Sequence, residues 1–330
     1  MGIRGLAGWV SWAASETIKS PDWSEYRGKR VGFDVLGFLY KAKSRRIDPF
    51  TYLANFIAGA KALSIELMPV FDGKPPEEKR EALLERSKRR ETASHTSLQL
   101  TSDLNTVPMN TAQRTEVLEI VKRLSQTATY LTSLERDTAK QLFYACGIVS
   151  YNATEEADDV LAYFSKREEI YAVISNDYDL LTRGVERLLV PDFYAQPGDA
   201  AGWKSYTLSE ILRSVQFTYI QFVEMCVLMG SDYTSGCKSL PYKSAYWAIK
   251  YRGGLDKSLK VIGAGNTLKY IRAIEKLTGS DISATDLMGE KQWDKLRSGP
   301  HSVEPTSLTE MSDTILSDIT PECLLALQKV

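Results

Sequence analysis

The chain has 330 residues, of which 43% are hydrophobic and 25% are charged, and its formal net charge is −1. This length and apolar content suffice for one large domain or two ordinary ones, and they exclude collagen-like and low-complexity chains. Four scattered cysteines without a C-x-x-C pair, together with two histidines, argue against a disulfide framework, a zinc cluster and histidine chemistry, which leaves carboxylates for catalysis.

Short buried strands alternate with helical patterns along the first two thirds of the chain. Apolar runs predict four strands, at 30–34, 68–72, 170–175 and 187–190. Helical periodicity lies between them, as over 51–66 and 138–146. Strands separated by helices predict an α/β fold with a mostly parallel central sheet flanked by helices.

Acidic residues follow three of these predicted strands. Asp34 ends the first strand, Asp72 ends the second, and Asp177 and Asp179 follow the third. An Asp after a strand is most often a turn residue or a helix cap, which is the alternative for each residue taken alone. Because ligands of open parallel sheets bind beyond the carboxyl ends of the strands, we expect these four carboxylates to converge. A further acid, Asp232, follows a later apolar helix.

Another group of acids lies at a predicted helix start. Asn152 and Glu155 have the spacing of a capping box, which places Glu156 and Asp158 in the first helical turn. Acids in this turn complement the helix dipole, and we assign only that role to Glu155 and Asp159.

A basic segment follows the second predicted strand. Residues 74–90 hold seven basic and four acidic residues, a net charge of +3. Lys79, Arg86 and Arg90 share one helical face, which is either a solvated surface or a face that contacts phosphate without sequence specificity. The polar residues 91–115 predict a mobile tip before helical periodicity resumes. Helix, tip and helix between two strands predict an arch.

Several motifs, in this order, resemble those of flap endonucleases, which belong to the XPG/Rad2-type structure-specific 5′ nucleases. They are MGIRGL at 1–6, VGFD at 31–34, VFDGKPP at 70–76, EAD at 156–158, NDYD at 176–179, QFVEMCVLMGSDY at 221–233 and GEKQ at 289–292. The run EADDVLAY also resembles the Exo1-type branch. The resemblance implies a PIN-like 5′-nuclease fold with a helical arch and a C-terminal helix-two-turn-helix.

The same resemblance implies a division of the chain into functional regions. The regions are a nuclease core at 1–73 and 144–216, an arch at 74–143, a helical duplex-binding region at 217–300 and a polar tail at 301–330. The tail is polar and holds five acids and one base, which predicts flexibility over most of it, with a short docked helix at 320–327 as the alternative there.

The resemblance also implies individual site residues. The family's metal-binding carboxylates fall on Asp34, Asp72, Glu156, Asp158, Asp177, Asp179 and Asp232. Lys79 and Arg86 would act on the scissile phosphate, and Tyr40 would stack on a nearby base unless it is a core residue. The other implied DNA contacts are Gly2, Arg89, Arg90, Lys238 and Lys243.

The implied cofactor is Mg²⁺, two ions per site, with Mn²⁺ as a substitute. Two such ions roughly 4 Å apart repel each other by about 17 kcal/mol at an effective dielectric near 20, which explains the need for many carboxylates. The family also holds K⁺ in its duplex-binding hairpin. Ser239 and Pro241 stand where glycines are expected, and Pro241 lacks an N–H donor, so these departures count against a K⁺ site.

The implied function is hydrolysis of DNA at 5′ flap junctions during replication and repair, by a monomer located in the nucleus if the organism is eukaryotic. The alternatives are a 5′→3′ exonuclease, a catalytically inactive DNA-binding scaffold and an RNA-cleaving nuclease. No motif supports binding to a sliding clamp, and we expect neither secretion nor myristoylation. No apolar run approaches the roughly 18 residues of a membrane span.

Overall fold

A six-stranded sheet organises the fold in the computed structural model of the protein, which describes residues 2–191, 202–234, 240–262, 267–279 and 283–298. The strands are β1 (Arg30–Asp34), β2 (Glu66–Phe71), β3 (Tyr151–Asn152), β4 (Ala172–Ile174), β5 (Arg187–Pro191) and β6 (Trp203–Thr207). Their order is β3-β2-β1-β4-β5-β6, and only β6 is antiparallel to its neighbour. The predicted α/β fold with a mostly parallel sheet is therefore confirmed.

Helices cover both faces of this sheet. They are α1 (Leu6–Ala13), α2 (Val35–Ser44), α3 (Pro49–Ala62), α4 (Arg80–Thr106), α5 (Thr111–Ala128), α6 (Ser133–Ala145), α7 (Ala157–Lys166), α8 (Asp179–Thr182), α9 (Leu208–Val215), α10 (Tyr219–Met229), α11 (Tyr242–Arg252), α12 (Leu255–Ile262), α13 (Thr267–Thr278), α14 (Ala284–Met288) and α15 (Glu290–Ser298). In the described part of the chain, none of them combines the length and apolar character needed to cross a bilayer.

The central strand β1 is buried from both sides. Phe33 stacks on Phe56 of α3, with ring centroids 4.7 Å apart, in the core formed with α2, α3 and α6. On the opposite face, a Cβ at Gly32 would lie 2.6 Å from Cδ2 of Leu161, so α7 approaches the backbone closely there. This packing brings the start of α7 near the carboxyl ends of β1 and β2.

The helices after β6 pack directly on this second face. Phe222, Val227 and Leu228 of α10 are fully buried in the cluster that also contains residues of α1 and α7. Pro241 directly precedes α11, the partner of α10 in the predicted helix-two-turn-helix. Lys238, Ser239 and the predicted tail at 301–330 lie outside the described residues.

The arch region is more regular than its composition indicates. The mobile tip predicted at 91–115 is wrong, because α4 continues to Thr106 and α5 begins at Thr111. The two helices form a hairpin in which Oγ of Ser97 lies 3.1 Å from Oγ of Ser125. Buried Leu104 and the hydrogen bond from Arg114 to its carbonyl close the far end. Tertiary packing thus overrides the low hydrophobicity of this segment.

The predicted capping role of Asn152 is also wrong. Asn152 pairs with Phe71 in the parallel β2–β3 ladder, and its backbone N–H donates to Oε1 of Gln292 at 2.6 Å. The following helix α7 begins later, at Ala157, with Glu156 as its N-cap residue. Asp158 nevertheless lies in the first turn, as predicted.

Candidate active site

Asp34 combines a local structural role with a position in the site. It ends β1, and its Oδ1 accepts a hydrogen bond from the backbone N–H of Gly37 at 3.1 Å, which caps α2. Its Oδ2 accepts from the hydroxyl of Ser175 at 2.7 Å, just beyond β4. The cap interpretation is therefore correct for Asp34, its role as a metal ligand stays a prediction, and Ser175 links the ends of two adjacent strands.

Asp72 links the end of β2 to α7. Its Oδ1 accepts a hydrogen bond from the backbone N–H of Ala157, the first residue of α7, at 2.8 Å. The positive end of the α7 dipole therefore faces Asp72, and Asp158 lies one residue further into the same turn. This arrangement brings acids from two distant segments of the chain together.

Asp177 and Asp179 lie beyond β4 against the N-terminal segment. The backbone N–H of Asp179 donates to Oδ1 of Asp177 at 2.9 Å, and that of Ile3 donates to Oδ1 of Asp179 at 2.6 Å. A Cβ at Gly2 would lie 2.5 Å from Oδ1 of Asp179 and 2.8 Å from Oδ1 of Asp177. Only glycine fits between these carboxylates, so Gly2 lies at the site as the sequence predicts.

Buried carboxylates of this group repel one another. Burial, and then the charge of Asp72, raise the pKa of Asp34 to about 7. Burial and the charge of Asp177 raise the pKa values of Asp158 and Asp179 well above their usual range. The pKa of Asp72 is also raised, chiefly by burial. Acids from β1, α7, α8 and the loops after β2 and β4 therefore share one electrostatic environment, in which burial and mutual repulsion outweigh the nearby charges of Lys79, Arg136 and Arg183.

Basic residues neutralise the other two acids of the predicted set. Burial raises the pKa of Glu156, but Lys79 and Arg183 outweigh it and lower the pKa. At Asp232 burial is likewise outweighed, chiefly by the hydrogen bond and charge of Arg86, and the pKa is lowered. Basic residues thus neutralise one pair of the predicted carboxylates, whereas the pKa values of Asp34, Asp72, Asp158 and Asp179 stay raised.

Lys79 and Arg86 lie at this site, as predicted. The Nζ of Lys79 is 2.6 Å from Oε1 of Glu156 and 3.8 Å from Oδ2 of Asp232. The Nη2 of Arg86 is 2.5 Å from Oδ2 of Asp232. Burial lowers the pKa of Lys79, but the charges of Glu156 and Tyr233 and the hydrogen bond to Glu156 together outweigh burial and raise the pKa above the usual value. Lys79 is therefore a permanent cation at neutral pH.

The other predicted DNA contacts lie outside the carboxylate group. Tyr40 is on α2, directly after β1, and is 40% exposed, which rules out the alternative of a core tyrosine. Arg89 and Arg90 lie on α4 beyond Arg86, with Arg89 exposed and Arg90 half-buried. Lys243 is exposed on α11.

Sequence reasoning missed Arg183, which is 3% exposed at the end of α8. Its Nη2 donates to Oε2 of Glu156 at 2.7 Å and to the hydroxyl of Tyr233 at 3.0 Å, and its Nη1 pairs with Asp159. The dipole-only role predicted for Asp159 is therefore wrong. The available signal was an arginine in the apolar run Leu-Leu-Thr-Arg, but the sequence alone does not identify its partners.

The carboxylates with raised pKa values have the chemical character of ligands for a hard divalent cation. Among the described residues, no three His, Cys, Asp or Glu side chains form a ready-made group around one point, and Lys79 lies between Glu156 and Asp232. The donor set is nevertheless oxygen only, which suits Mg²⁺ or Mn²⁺. Buried carboxylates with raised pKa values gain most from a cation, so Asp34, Asp158 and Asp179 are the strongest candidates.

Comparisons with known proteins identify the family of the chain. The family model described as the XPG N-terminal domain matches residues 1–93, and the XPG I-region matches residues 147–232, together more than half of the chain. Flap endonuclease 1 of Entamoeba dispar is 28% identical over 316 residues, covering 90% of this chain and 80% of that protein. Flap endonuclease 1 of Mus musculus is 26% identical over 272 residues, covering 79% and 68%.

Solved structures match in fold. The flap endonuclease-1 structure from Methanococcus jannaschii has a TM-score of 0.59 at 17% identity and covers 99% of both chains. The catalytic core of Rad2 in complex with DNA substrate has a TM-score of 0.61 at 16% identity, covering 96% of this chain and all of that one (100%). These similarities show that the chain shares the overall fold of these nucleases.

Proposed function

The chain belongs to the XPG family of nucleases, and from this premise we propose that it is a metal-dependent, structure-specific 5′ nuclease that hydrolyses DNA at flap–duplex junctions. The observation that carries the proposal is the electrostatic coupling of seven acids from separate segments, beside two basic side chains from the arch region. A binding protein without catalysis would gain nothing from burying carboxylates that repel one another.

The carboxylates would hold the metal ions. Asp34, Asp158, Asp177 and Asp179 would supply oxygen ligands, and Asp72, Glu156 and Asp232 would complete the set. When bound, divalent cations of this kind supply Lewis acidity and lower the pKa of bound water. Ser175 and the N–H groups of Gly37 and Ile3 orient the carboxylates, since each donates to a named oxygen.

Lys79 and Arg86 would bind the scissile phosphate. Both currently pair with carboxylates at the site, so a phosphate placed there would lie within their reach. Because its pKa is raised, Lys79 serves as a fixed positive charge and not as a base. A positioned cation stabilises the negative charge that develops during phosphoryl transfer.

The surrounding elements would hold the DNA. In this proposal α4 and α5 form the arch for the single-stranded flap, Tyr40 stacks on a base, and residues 217–300 bind the duplex through groups such as Lys243. The Rad2 relative is in complex with DNA substrate, which supports a DNA partner. We place the enzyme at sites of DNA replication and repair, which are nuclear in a eukaryote.

A substrate panel tests this function. End-labelled flap, nicked, blunt and single-stranded DNA, and an RNA flap, are incubated with Mg²⁺ or with EDTA. Release of an intact DNA flap that requires Mg²⁺ is the expected result. A ladder of mononucleotides would favour an exonuclease instead, cleavage of the RNA flap alone would indicate an RNA nuclease, and binding without cleavage in Mg²⁺ and Mn²⁺ would indicate a scaffold.

The variant Asp177→Ala tests whether this carboxylate is a metal ligand. We expect it to abolish cleavage while leaving flap affinity within about threefold, because it removes a metal ligand and no phosphate contact. The control is Asp137→Ala, which removes an exposed carboxylate on α6 and should cleave normally. Undiminished cleavage by Asp177→Ala would exclude this residue from the site.

A further inference from the structure

A cluster of exposed and half-buried aromatic side chains lies away from the carboxylates, on α1 and α11. It consists of Trp12, Tyr242, Tyr246, Trp247 and Tyr251, here called the aromatic platform. Tyr251 is 78% exposed, Trp247 42% and Trp12 38%, although large aromatic residues are mostly buried. Contiguous exposed apolar surface of this kind marks a binding site.

The platform has the geometry of an open stack. The rings of Trp247 and Tyr251 are 5.0 Å apart and nearly parallel, at 14°, which leaves the outer face of Tyr251 uncovered. Trp12 meets Trp247 edge-on, at 6.3 Å and 77°. Below them, the ring centroids of Tyr246 and buried Trp9 lie 6.2 Å apart. Trp9 in turn packs against Phe222 of the core. The exposed rings are therefore held by a buried foundation.

Positive charge surrounds these rings. The helix α11 contains three basic residues, Lys243, Lys250 and Arg252, and no acid. The Nζ of Lys243 lies 5.1 Å from the ring centroid of Trp12, whereas the Nζ of Lys250 is bound to the carbonyl of Val215 at 2.6 Å. Open aromatic faces beside cations suit a strand whose bases stack and whose phosphates carry negative charge.

The platform is joined to the candidate active site through α1. A Cβ at Gly5 would lie 3.2 Å from Cδ1 of Tyr242, so the start of α1 packs directly beneath the platform. The residues just before α1 contact the site, since the N–H of Ile3 donates to Asp179. An eight-residue helix spans only about 12 Å, so one nucleic acid molecule can reach both places.

We propose that the aromatic platform is a stacking site for the unpaired bases of single-stranded DNA beside the duplex-binding region. The inference rests on the proposed DNA-binding function and adds to it a second place where unpaired DNA is held. The basic, acid-free character of α11 favours DNA over a protein partner, because a polyanion complements this charge.

The test measures DNA affinity without cleavage. Two fluorescent probes are compared by anisotropy in EDTA, a blunt duplex and the same duplex with an unpaired oligo-dT extension. For Tyr251→Ala and Trp247→Ala, we expect affinity for the extended probe to fall at least about fivefold, since each stacked base contributes substantially. Affinity for the blunt duplex should change less than about twofold, because it offers no unpaired base.

Two further variants serve as controls. Tyr251→Phe keeps the ring and should retain the affinity, whereas Tyr144→Ala removes an exposed tyrosine on α6 and should bind both probes normally. Thermal unfolding checks that Trp247→Ala remains folded, and Tyr251 is too exposed for its loss to unfold the chain.

The outcomes separate the two proposals. If the wild-type protein cleaves flaps while Tyr251→Ala binds both probes like the wild type, the platform proposal is overturned and the nuclease proposal stands. An equal loss on both probes would also overturn it, because stacking of unpaired bases would not explain the loss. If the wild type neither binds nor cleaves DNA, the proposed function falls as well.

Discussion

At the residue scale, the candidate site is built from side chains that already have local tasks. Asp34 caps α2 and Asp72 accepts a hydrogen bond from the start of α7, so neither carboxylate is held only for chemistry. These hydrogen bonds fix the direction of each carboxylate before any ligand arrives. Lys79 is held in the same way between Glu156 and Asp232, which places a cation at the site in advance.

Replacing Lys79 tests this preorganisation. Lys79→Ala should slow single-turnover flap cleavage about 100-fold, because it removes a positioned positive charge, while flap affinity stays within about threefold. Lys79→Arg should recover part of the rate, and Lys122→Ala, which removes an exposed lysine on α5, should cleave normally. An unchanged rate for Lys79→Ala would remove this lysine from the phosphate-binding role.

At the element scale, the α4–α5 hairpin is helical although its composition predicts a mobile segment. The segment is rich in Ser and Thr, but hydroxyls such as that of Thr101 donate to carbonyls one turn earlier, here that of Ser97 at 2.8 Å. Polar side chains are thus satisfied within the helix, and buried Leu104 holds the two helices together. The hairpin lies apart from the two main hydrophobic clusters, so its stability is local.

Leu104→Ala should open the far end of this hairpin. Removing a buried leucine there costs about 2–3 kcal/mol, and the loss should appear as faster amide exchange over 97–115 with little change in the main unfolding temperature. Leu98→Ala is the matched control, because Leu98 is exposed on the same helix. Equal exchange in the two variants would show that Leu104 does not hold the hairpin closed.

At the scale of the whole molecule, a nearly neutral chain conceals a concentrated negative site. The net charge is −1, yet several buried carboxylates with raised pKa values share one region. Folding brings these charges together, so the fold itself raises their pKa values. The pH dependence of the unfolding temperature should therefore report the protonation of these carboxylates.

The raised pKa of Asp34 determines whether stability rises or falls with pH. Its pKa rises from 3.8 to about 7 on folding, so the folded state holds a proton that the unfolded state loses between about pH 4 and 7. Stability in EDTA should consequently fall as pH rises through this window, with an unfolding temperature at least about 3 °C higher at pH 5.5 than at pH 8. Added Mg²⁺ should stabilise the protein more at pH 8, because protons compete with the metal at pH 5.5.

Calorimetry on Asp34→Asn checks the origin of this effect. The variant lacks the titrating carboxyl, so its unfolding temperature in EDTA should depend less on pH, whereas Asp137→Asn should behave like the wild type. A wild-type protein that is more stable at pH 8 than at pH 5.5 without metal would contradict the shared negative site.

The sequence alone determined four of the six described strands, a mostly parallel sheet and the acids that follow three of those strands, because alternating strand and helix patterns leave few arrangements. Asp34, Asp72 and Asp179 could be selected since the carboxyl ends of parallel strands lie at one edge of a sheet. Their roles as metal ligands stay predictions, supported by family membership and by their shared electrostatics.

Only the tertiary structure decided which groups neutralise which acids and which surfaces stay open. Arg183 pairs with Glu156 and Asp159 across 24 or more residues of chain, and no local pattern encodes such a contact. The same holds for the hairpin of α4 with α5 and for the exposed stack of Trp247 on Tyr251, whose helical spacing equally suits a buried face. Burial and long-range pairing are properties of the packed molecule, and they determine the chemistry of the side chains.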